Sequence, residues 1–244
     1  MSTVVIGSRG SPLALWQANW IKDLLQEHHS DLNVDITIIK TSGDKIQDVP
    51  LAKIGGKGLF VKEIEEGLLK REVDFAVHSM KDMPIIFPMN LCIACVTKRE
   101  NPFDALISKN NIKLDDLPKG AKVGTGSLRR MSQLLYYRPD LKLVPLRGNL
   151  ETRLKKLETE GLDAIILAAA GLIRLGWSDR ITGVISPEVL LPAMGQGAVG
   201  IETRKNDVDN QILLADIDHE DTHYALDAER ALVSQLEGGC NVPI

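Results

Sequence analysis

Residues 120–153, GAKVGTGSLRRMSQLLYYRPDLKLVPLRGNLETR, constrain the fold most, because strands and helix starts alternate there and each junction carries arginine. Residues 121–124 form a short apolar strand, and Thr125-Gly126-Ser127 is a tight turn of small residues. Leu128, Met131, Leu134 and Leu135 then recur at helical spacing until Arg138-Pro139, where the residue before proline is pushed out of the helical region. Residues 141–146 give a second strand, after which Arg147-Gly148-Asn149 turns into a helix that Asn149 can cap. Arg129, Arg130, Arg147 and Arg153 therefore fall where unpaired backbone N–H groups and the positive end of the helix dipole already attract anions. Cations set against that dipole and each other cost stability unless an anion offsets them, and planar guanidinium forks suit carboxylate or phosphate. The bland alternative is a set of solvated surface arginines.

At 244 residues the chain can bury a sizeable core, with two domains of about 100 residues each as a reasonable expectation. A net charge of -4 makes the arginines a local basic site in a slightly acidic protein, which argues against general nucleic-acid binding. The first residues, MSTVVIG, lack the features of a signal peptide, and no run approaches the roughly 20 apolar residues of a membrane span. Three cysteines, an odd number, fit reduced thiols, so the expected compartment is the cytoplasm.

Residues 3–6 form a strand, and Ser11-Pro12 opens a helix whose expected buried face is Leu13, Trp16, Trp20 and Leu24. Arg9 repeats the theme of an arginine between strand and helix. Residues 34–40 alternate as a strand, whereas residues 41–58 have no clear period and several glycines, which marks a lid candidate. A helix over 59–69 and a strand over 73–77 lead to His78-Ser79-Met80-Lys81-Asp82, a carboxylate beside a lysine at the carboxyl end of a strand, where open α/β sheets bind ligands. A plain surface ion pair is the alternative for Asp82 and Lys81. A strand over 91–97, a crossover at 99–102, a strand over 163–167, a Pro/Gly-rich return over 185–196 and a strand over 199–203 complete two βα-rich lobes. Arg9 and Asp82 would face a cleft from one lobe, and Arg129, Arg130, Arg147, Arg153 and Arg174 from the other.

Four short motifs mislead. Gly195-Gln196-Gly197-Ala198-Val199-Gly200 matches GxGxxG but precedes a strand instead of following one, and His219-Glu220-Asp221-Thr222-His223 matches HExxH where Asp221 and Thr222 look like the start of a helix. Cys92 and Cys95, three apart on a strand, point to opposite faces and are expected in the core. Gly55-Gly56-Lys57-Gly58 lacks the P-loop spacing, although Lys57 can touch an anion if its loop closes. Cys240, in a Gly-Gly loop outside any periodic segment, has no core role, which points to covalent function.

Together the segments SRGSPLAL (8–15), GGKGLF (55–60), HSMKD (78–82), GSLRR (126–130), LRGN (146–149), GQGA (195–198) and EGGC (237–240) resemble the hydroxymethylbilane synthase, or porphobilinogen deaminase, family, in order and over essentially the whole chain. The resemblance implies an α/β fold of two periplasmic-binding-protein-like lobes with a cleft between them, joined by two crossovers, plus the start of a truncated third α+β domain. The lobes would be 1–98 with 198–217, and 103–191; residues 218–244 would open the third domain. The apolar face of the helix in that segment would be Tyr224, Ala225, Ala228, Ala231, Leu232 and Leu236. The implied activity joins porphobilinogen units head to tail, with release of ammonia, into a linear tetrapyrrole. It proceeds on a dipyrromethane cofactor held as a thioether on Cys240. Asp82 matches the catalytic aspartate. Lys81, Ser127, Arg129, Arg130, Arg147, Arg153 and Arg174 match cofactor-binding positions, and Arg9, Ser11, Gln17, Lys57, Thr125 and Gln196 substrate-binding ones; no metal is implied. Gly126 departs from the family, in which many members carry a hydroxyl residue there. The implied protein is a monomer acting on a small molecule, without nucleic acid or membrane. The competing class is a non-catalytic bilobal receptor for a small polyanion, in which Cys240 has no purpose.

Overall fold

The computed structural model describes residues 3–45 and 60–238, which hold two five-stranded sheets. Chain contacts divide the protein into two compact units, one running to Arg99 and resuming at Ala198–Leu236, the other Glu100–Gly197.

The first unit opens with β1 (Thr3–Ser8) and α1 (Pro12–His28). Ser11 caps α1, its Oγ accepting the Ala14 N–H at 3.3 Å, and Pro12 occupies the first turn, where its missing N–H costs nothing. Ser11→Ala is therefore expected to lower stability by about 1 kcal/mol, read as a lower urea midpoint at unchanged slope. The buried face of α1 is Ala18, Ile21 and Leu25, with Gln17, and not the expected Leu13, Trp16, Trp20 and Leu24; Trp16 is exposed. The helix is turned because the smaller residues seat against the sheet while Trp20 and Leu24 pack at the margin. β2 (Asn33–Ile38), α2 (Ser42–Lys45), α3 (Lys62–Leu69), β3 (Phe75–Ser79) and β4 (Leu91–Val96) follow. The strand after the second linker, β10 (Val199–Arg204), rejoins this sheet in the order β2-β1-β3-β10-β4, antiparallel to both of its neighbours. Ile6, Phe75, Cys95 and Ile201 are fully buried in its core, each large apolar side chain contributing about 1.5–3 kcal/mol. A register shift between Ile201 and Glu202 interrupts the pairing with β4, and Cys95 is buried as expected while Cys92 is only half-buried.

The second unit repeats the plan. β5 (Asp104–Ser108), β6 (Lys122–Gly124), β7 (Lys142–Val144), β8 (Ala164–Ala168) and β9 (Gly183–Val184) form a sheet of order β7-β6-β8-β5-β9. Here β5, the strand that follows the first crossover, is the antiparallel one, as β10 is after the return. The helices are α4 (Leu128–Tyr137), α5 (Leu150–Thr159) and α6 (Ala169–Arg174). On α4 only Leu134 of the four expected core residues is fully buried; Leu128 and Leu135 are exposed, and Arg129 and Arg130 take the inward positions instead. α7 (Val208–Ala215) and α8 (Glu220–Gln235) belong to the first unit. α8 packs on that unit through Leu226, Val233 and Arg230, whose Nη2 donates to the carbonyls of Pro84 and Ile85 at 2.6 and 2.8 Å. Tyr224, Leu232 and Leu236, expected on the buried face, are exposed, because the hydrogen bonds of Arg230 fix the opposite rotation of the helix.

Candidate active site

In the second unit three strand ends deliver the arginines. β6 runs through Thr125 to Ser127, whose Oγ caps α4 by accepting the Arg130 N–H, and Thr125 Oγ1 accepts the Ser127 N–H at 3.3 Å. β7 leads to Arg147 and to Asn149, which caps α5 as expected, with Oδ1 2.8 Å from the Thr152 N–H. β8 leads into α6 and Arg174. These are carboxyl ends of parallel strands, the usual ligand-binding edge of such a sheet.

Arg129 and Arg130 are not solvated surface residues: both are buried against Asp104, which has no exposed surface. Arg129 Nη2 donates to Asp104 Oδ2 at 2.8 Å, while Arg130 Nε and Nη2 donate to Oδ1 at 2.9 and 2.6 Å. Gln196 Nε2 adds 3.0 Å to the same oxygen, and Arg130 Nη1 reaches the Ile166 carbonyl at 3.0 Å. Burial works to raise the Asp104 carboxyl, and the two guanidiniums outweigh it, holding the group below the usual carboxylate range. Two guanidiniums share one carboxylate, so the cluster keeps an excess of positive charge. Arg174, buried with Nη2 2.8 Å from the Gly197 carbonyl, is pulled by burial to about 10. Arg147 is half-buried and also lowered by burial, which disfavours an uncompensated cation there. Arg153 donates through Nε to the Gly148 carbonyl at 2.8 Å. The GxGxxG match is structural: Gln196 is buried on Asp104, and Gly197 has φ 90° where a Cβ would lie 2.4 Å from the Glu100 carbonyl oxygen.

In the first unit a pocket is lined by Arg9, Ser11, Gln17, Phe60, His78, Ser79 and Asp82. Gln17, buried, donates to Ser79 Oγ at 2.9 Å. The turn Met80–Asp82 is anchored by buried Met80, whose N–H donates to the Ala198 carbonyl at 3.0 Å. Gly200 leaves the room this requires, since a Cβ there would lie 2.1 Å from Met80 Sδ. Asp82 is thereby exposed on a fixed turn, with Lys81 half-buried beside it. Arg9 stacks over the Phe60 ring at 4.3 Å and pairs with Asp44 of α2. Burial works to raise the Asp44 carboxyl, but Arg9 and Thr41 hold it below its ordinary value. The lid candidate is thus pinned at its base: Asp44 binds Arg9, and Ser42 N–H donates to Glu63 Oε1 at 2.8 Å.

Lys57, Cys240 and the rest of the lid candidate from 46 onward lie outside the described residues. Sequence reasoning missed Asp104, Asp44 and Glu202, each an acid that engages a site residue through the fold and not through chain proximity. The HExxH histidines are engaged elsewhere: His219 Nδ1 caps α8 through the Thr222 N–H at 3.2 Å, and His223 Nδ1 lies 3.0 Å from Asp218.

By fold, the chain is an α/β protein of the periplasmic-binding-protein kind. It matches the methionine binding protein MetQ with TM-score 0.55 at 15% identity over 94% of this chain and 95% of that one. It matches a TRAP periplasmic solute binding protein from Desulfovibrio salexigens with TM-score 0.52 at 11% identity over 96% and 77%. The family model for porphobilinogen deaminase, dipyromethane cofactor binding domain, matches residues 4–211. Proteins named porphobilinogen deaminase are 58% identical over 98% of this chain and 75% of the relative in Geobacter sp. (strain M21), and 56% over 99% and 78% in Desulforamulus reducens. The chain belongs to the porphobilinogen deaminase family, whose members are transferases. That membership does not favour a non-catalytic receptor. Among the described residues no helix is long and apolar enough to cross a membrane.

Proposed function

We propose that the protein joins four porphobilinogen molecules head to tail, releasing ammonia, on a dipyrromethane cofactor attached to Cys240, and then releases the linear tetrapyrrole by hydrolysis. The observation that carries this reading is the cluster of guanidiniums at the strand ends of the second unit, two of which, Arg129 and Arg130, share the single carboxylate of Asp104. The donor set fits the cofactor, because each of its pyrroles bears carboxylates that forked cations bind. Arg147, Arg153 and Arg174 would hold those carboxylates, together with the donors of Arg129, Arg130 and Ser127 not committed to Asp104, and Lys81 from the first unit. When bound, the dipyrromethane supplies the free pyrrole position to which substrate is joined.

Arg9, Ser11, Gln17, Lys57, Thr125 and Gln196 are the substrate-binding set in this proposal. Arg9 and Gln17 line the Asp82 pocket, while Gln196 acts through its buried hold on Asp104 and Arg130. Loss of ammonia from the aminomethyl arm of porphobilinogen leaves positive charge on the ring system, and Asp82, exposed on its anchored turn, stabilises that charge through the pyrrole N–H. The segment 41–58 shields the cation from water. The same reading makes the protein a cytoplasmic monomer with neither nucleic acid nor membrane as partner.

Intact-mass measurement of the purified protein tests the attachment: the mass should exceed that of the sequence by two linked pyrroles, and Cys240→Ser should be soluble and lack the increment. Full cofactor content on Cys240→Ser would sink the assignment.

A further inference from the structure

His78, Glu202 and Glu65 form a cluster of ionisable groups that none of the roles above uses. Glu202 lies in the middle of β10 without exposed surface, and its Oε2 is 3.2 Å from Nε2 of His78 on β3, itself buried. The other oxygen, Glu202 Oε1, is buried with no hydrogen-bond partner, and so is Glu65 Oε1 on α3. Burial, then the charge of Glu202, raises the Glu65 carboxyl above its ordinary value, and His78 opposes the shift.

With Nε2 on Glu202, the ring's Nδ1 makes no hydrogen bond among the described residues, and His78 lines the same pocket as Asp82. The arrangement has the logic of an imidazole oriented by a carboxylate behind it: Nε2–H donates to Glu202, and Nδ1 is left as the base. The charged groups around it are Glu202 from β10, Glu65 from α3, Lys81 and Asp82 from the turn after β3, and Arg9 after β1; α1 contributes uncharged Gln17.

We propose that His78 is a general base of the coupling step and that Glu202 and Glu65 are positioning residues that hold its tautomer and balance its charge. The assignment rests on the proposed function. In the step, the C–N bond of the protonated aminomethyl arm breaks with its electron pair leaving on ammonia, and the methylene carbon then bonds to the free α-carbon of a pyrrole ring. The C–H bond at that carbon breaks, its pair restores the aromatic ring, and the proton passes to His78 Nδ1. The ammonia or solvent later takes that proton, leaving the imidazole neutral for the next unit.

Two measurements test this. Nitrogen-15 NMR of the protein without added substrate should show His78 protonated at Nε2 when neutral, and Glu202→Gln should remove that preference. In steady-state assays with the cofactor-loaded protein, His78→Gln should lower kcat by about 100-fold or more with KM within about threefold. Porphobilinogen deuterated at its free α-position should then show a larger isotope effect on kcat than in the unsubstituted protein, a readout that a purely structural histidine would not move. If His78→Gln fails to fold, the isosteric Glu202→Gln should still give about a tenfold loss with the enlarged isotope effect. Turnover within about threefold and an unchanged isotope effect in a folded variant would overturn the assignment. Absence of tetrapyrrole formation by the unsubstituted protein overturns the proposed function instead, and this role with it.

Discussion

Asp104→Asn is expected to lower the unfolding free energy by about 3–5 kcal/mol, because the amide keeps the shape of the carboxylate and leaves two buried guanidiniums without their shared counter-charge. Arg129 and Arg130 are 5% and 6% exposed, so water cannot replace what the substitution removes. The amide also turns a donor toward guanidinium donors, since only one of its two heavy atoms accepts. Chemical denaturation should show the midpoint fall with little change in slope. The sign with pH follows from the direction of the shift. Asp104 is held below its unfolded value, so its contribution is fully present above about pH 4 and is lost as acid takes the pH down through the folded value. Asp104→Asn should therefore lack that part of the acid-side loss of stability. A change below about 1 kcal/mol, with the same acid slope, would mean that the arginines find other partners.

This pair of contacts was not visible in the sequence, where Arg129 and Arg130 stand in the first turn of a helix with no acid nearby in the chain. Asp104 lies 26 residues before Arg130 and reaches it only because β5 pairs with β8 beside the start of α4. A single aspartate after Asn101-Pro102-Phe103 carries no periodic or spacing signal. The strand-to-helix junctions were legible for the opposite reason: Ser11, Ser127 and Asn149 cap through backbone N–H groups three residues away, so the information is local. Most strands are legible from short apolar runs, including the return of β10 to the first sheet, whereas β5 and the two-residue β9 are not. Helix rotation was not: on α1, α4 and α8 an apolar stripe was assigned to the core, yet a neighbouring stripe was buried once Gln17, Arg129, Arg130 or Arg230 found a partner across the fold. Buried polar contacts outweigh small differences in apolar area, and their partners are distant in sequence. Glu202 was hidden in the same way, inside a strand otherwise read as apolar.

Asp82→Asn is expected to cost at least about 100-fold in turnover while changing stability by no more than about 0.5 kcal/mol. The two halves of that expectation come from one piece of geometry. The position of the turn is fixed by Met80 and Met83, both buried, and by the Met80 N–H bond to Ala198; Asp82 itself is exposed, and no hydrogen bond or ion pair holds it among the described residues. An amide can therefore replace the carboxylate without moving the backbone, but it carries no charge to set against the cation left when ammonia departs. Substrate binding should be much less affected, because Arg9 and Gln17 in the same pocket are untouched; kcat should fall with KM within a few-fold, the pattern of an interaction made in the transition state. Mass measurement after brief exposure to substrate should still find the dipyrromethane increment or longer covalent adducts on Cys240, showing that loading survives where cycling does not. Steady-state tetrapyrrole formation within a few-fold of the unsubstituted rate would remove Asp82 from the chemistry and leave His78, in the same pocket, as the residue to examine.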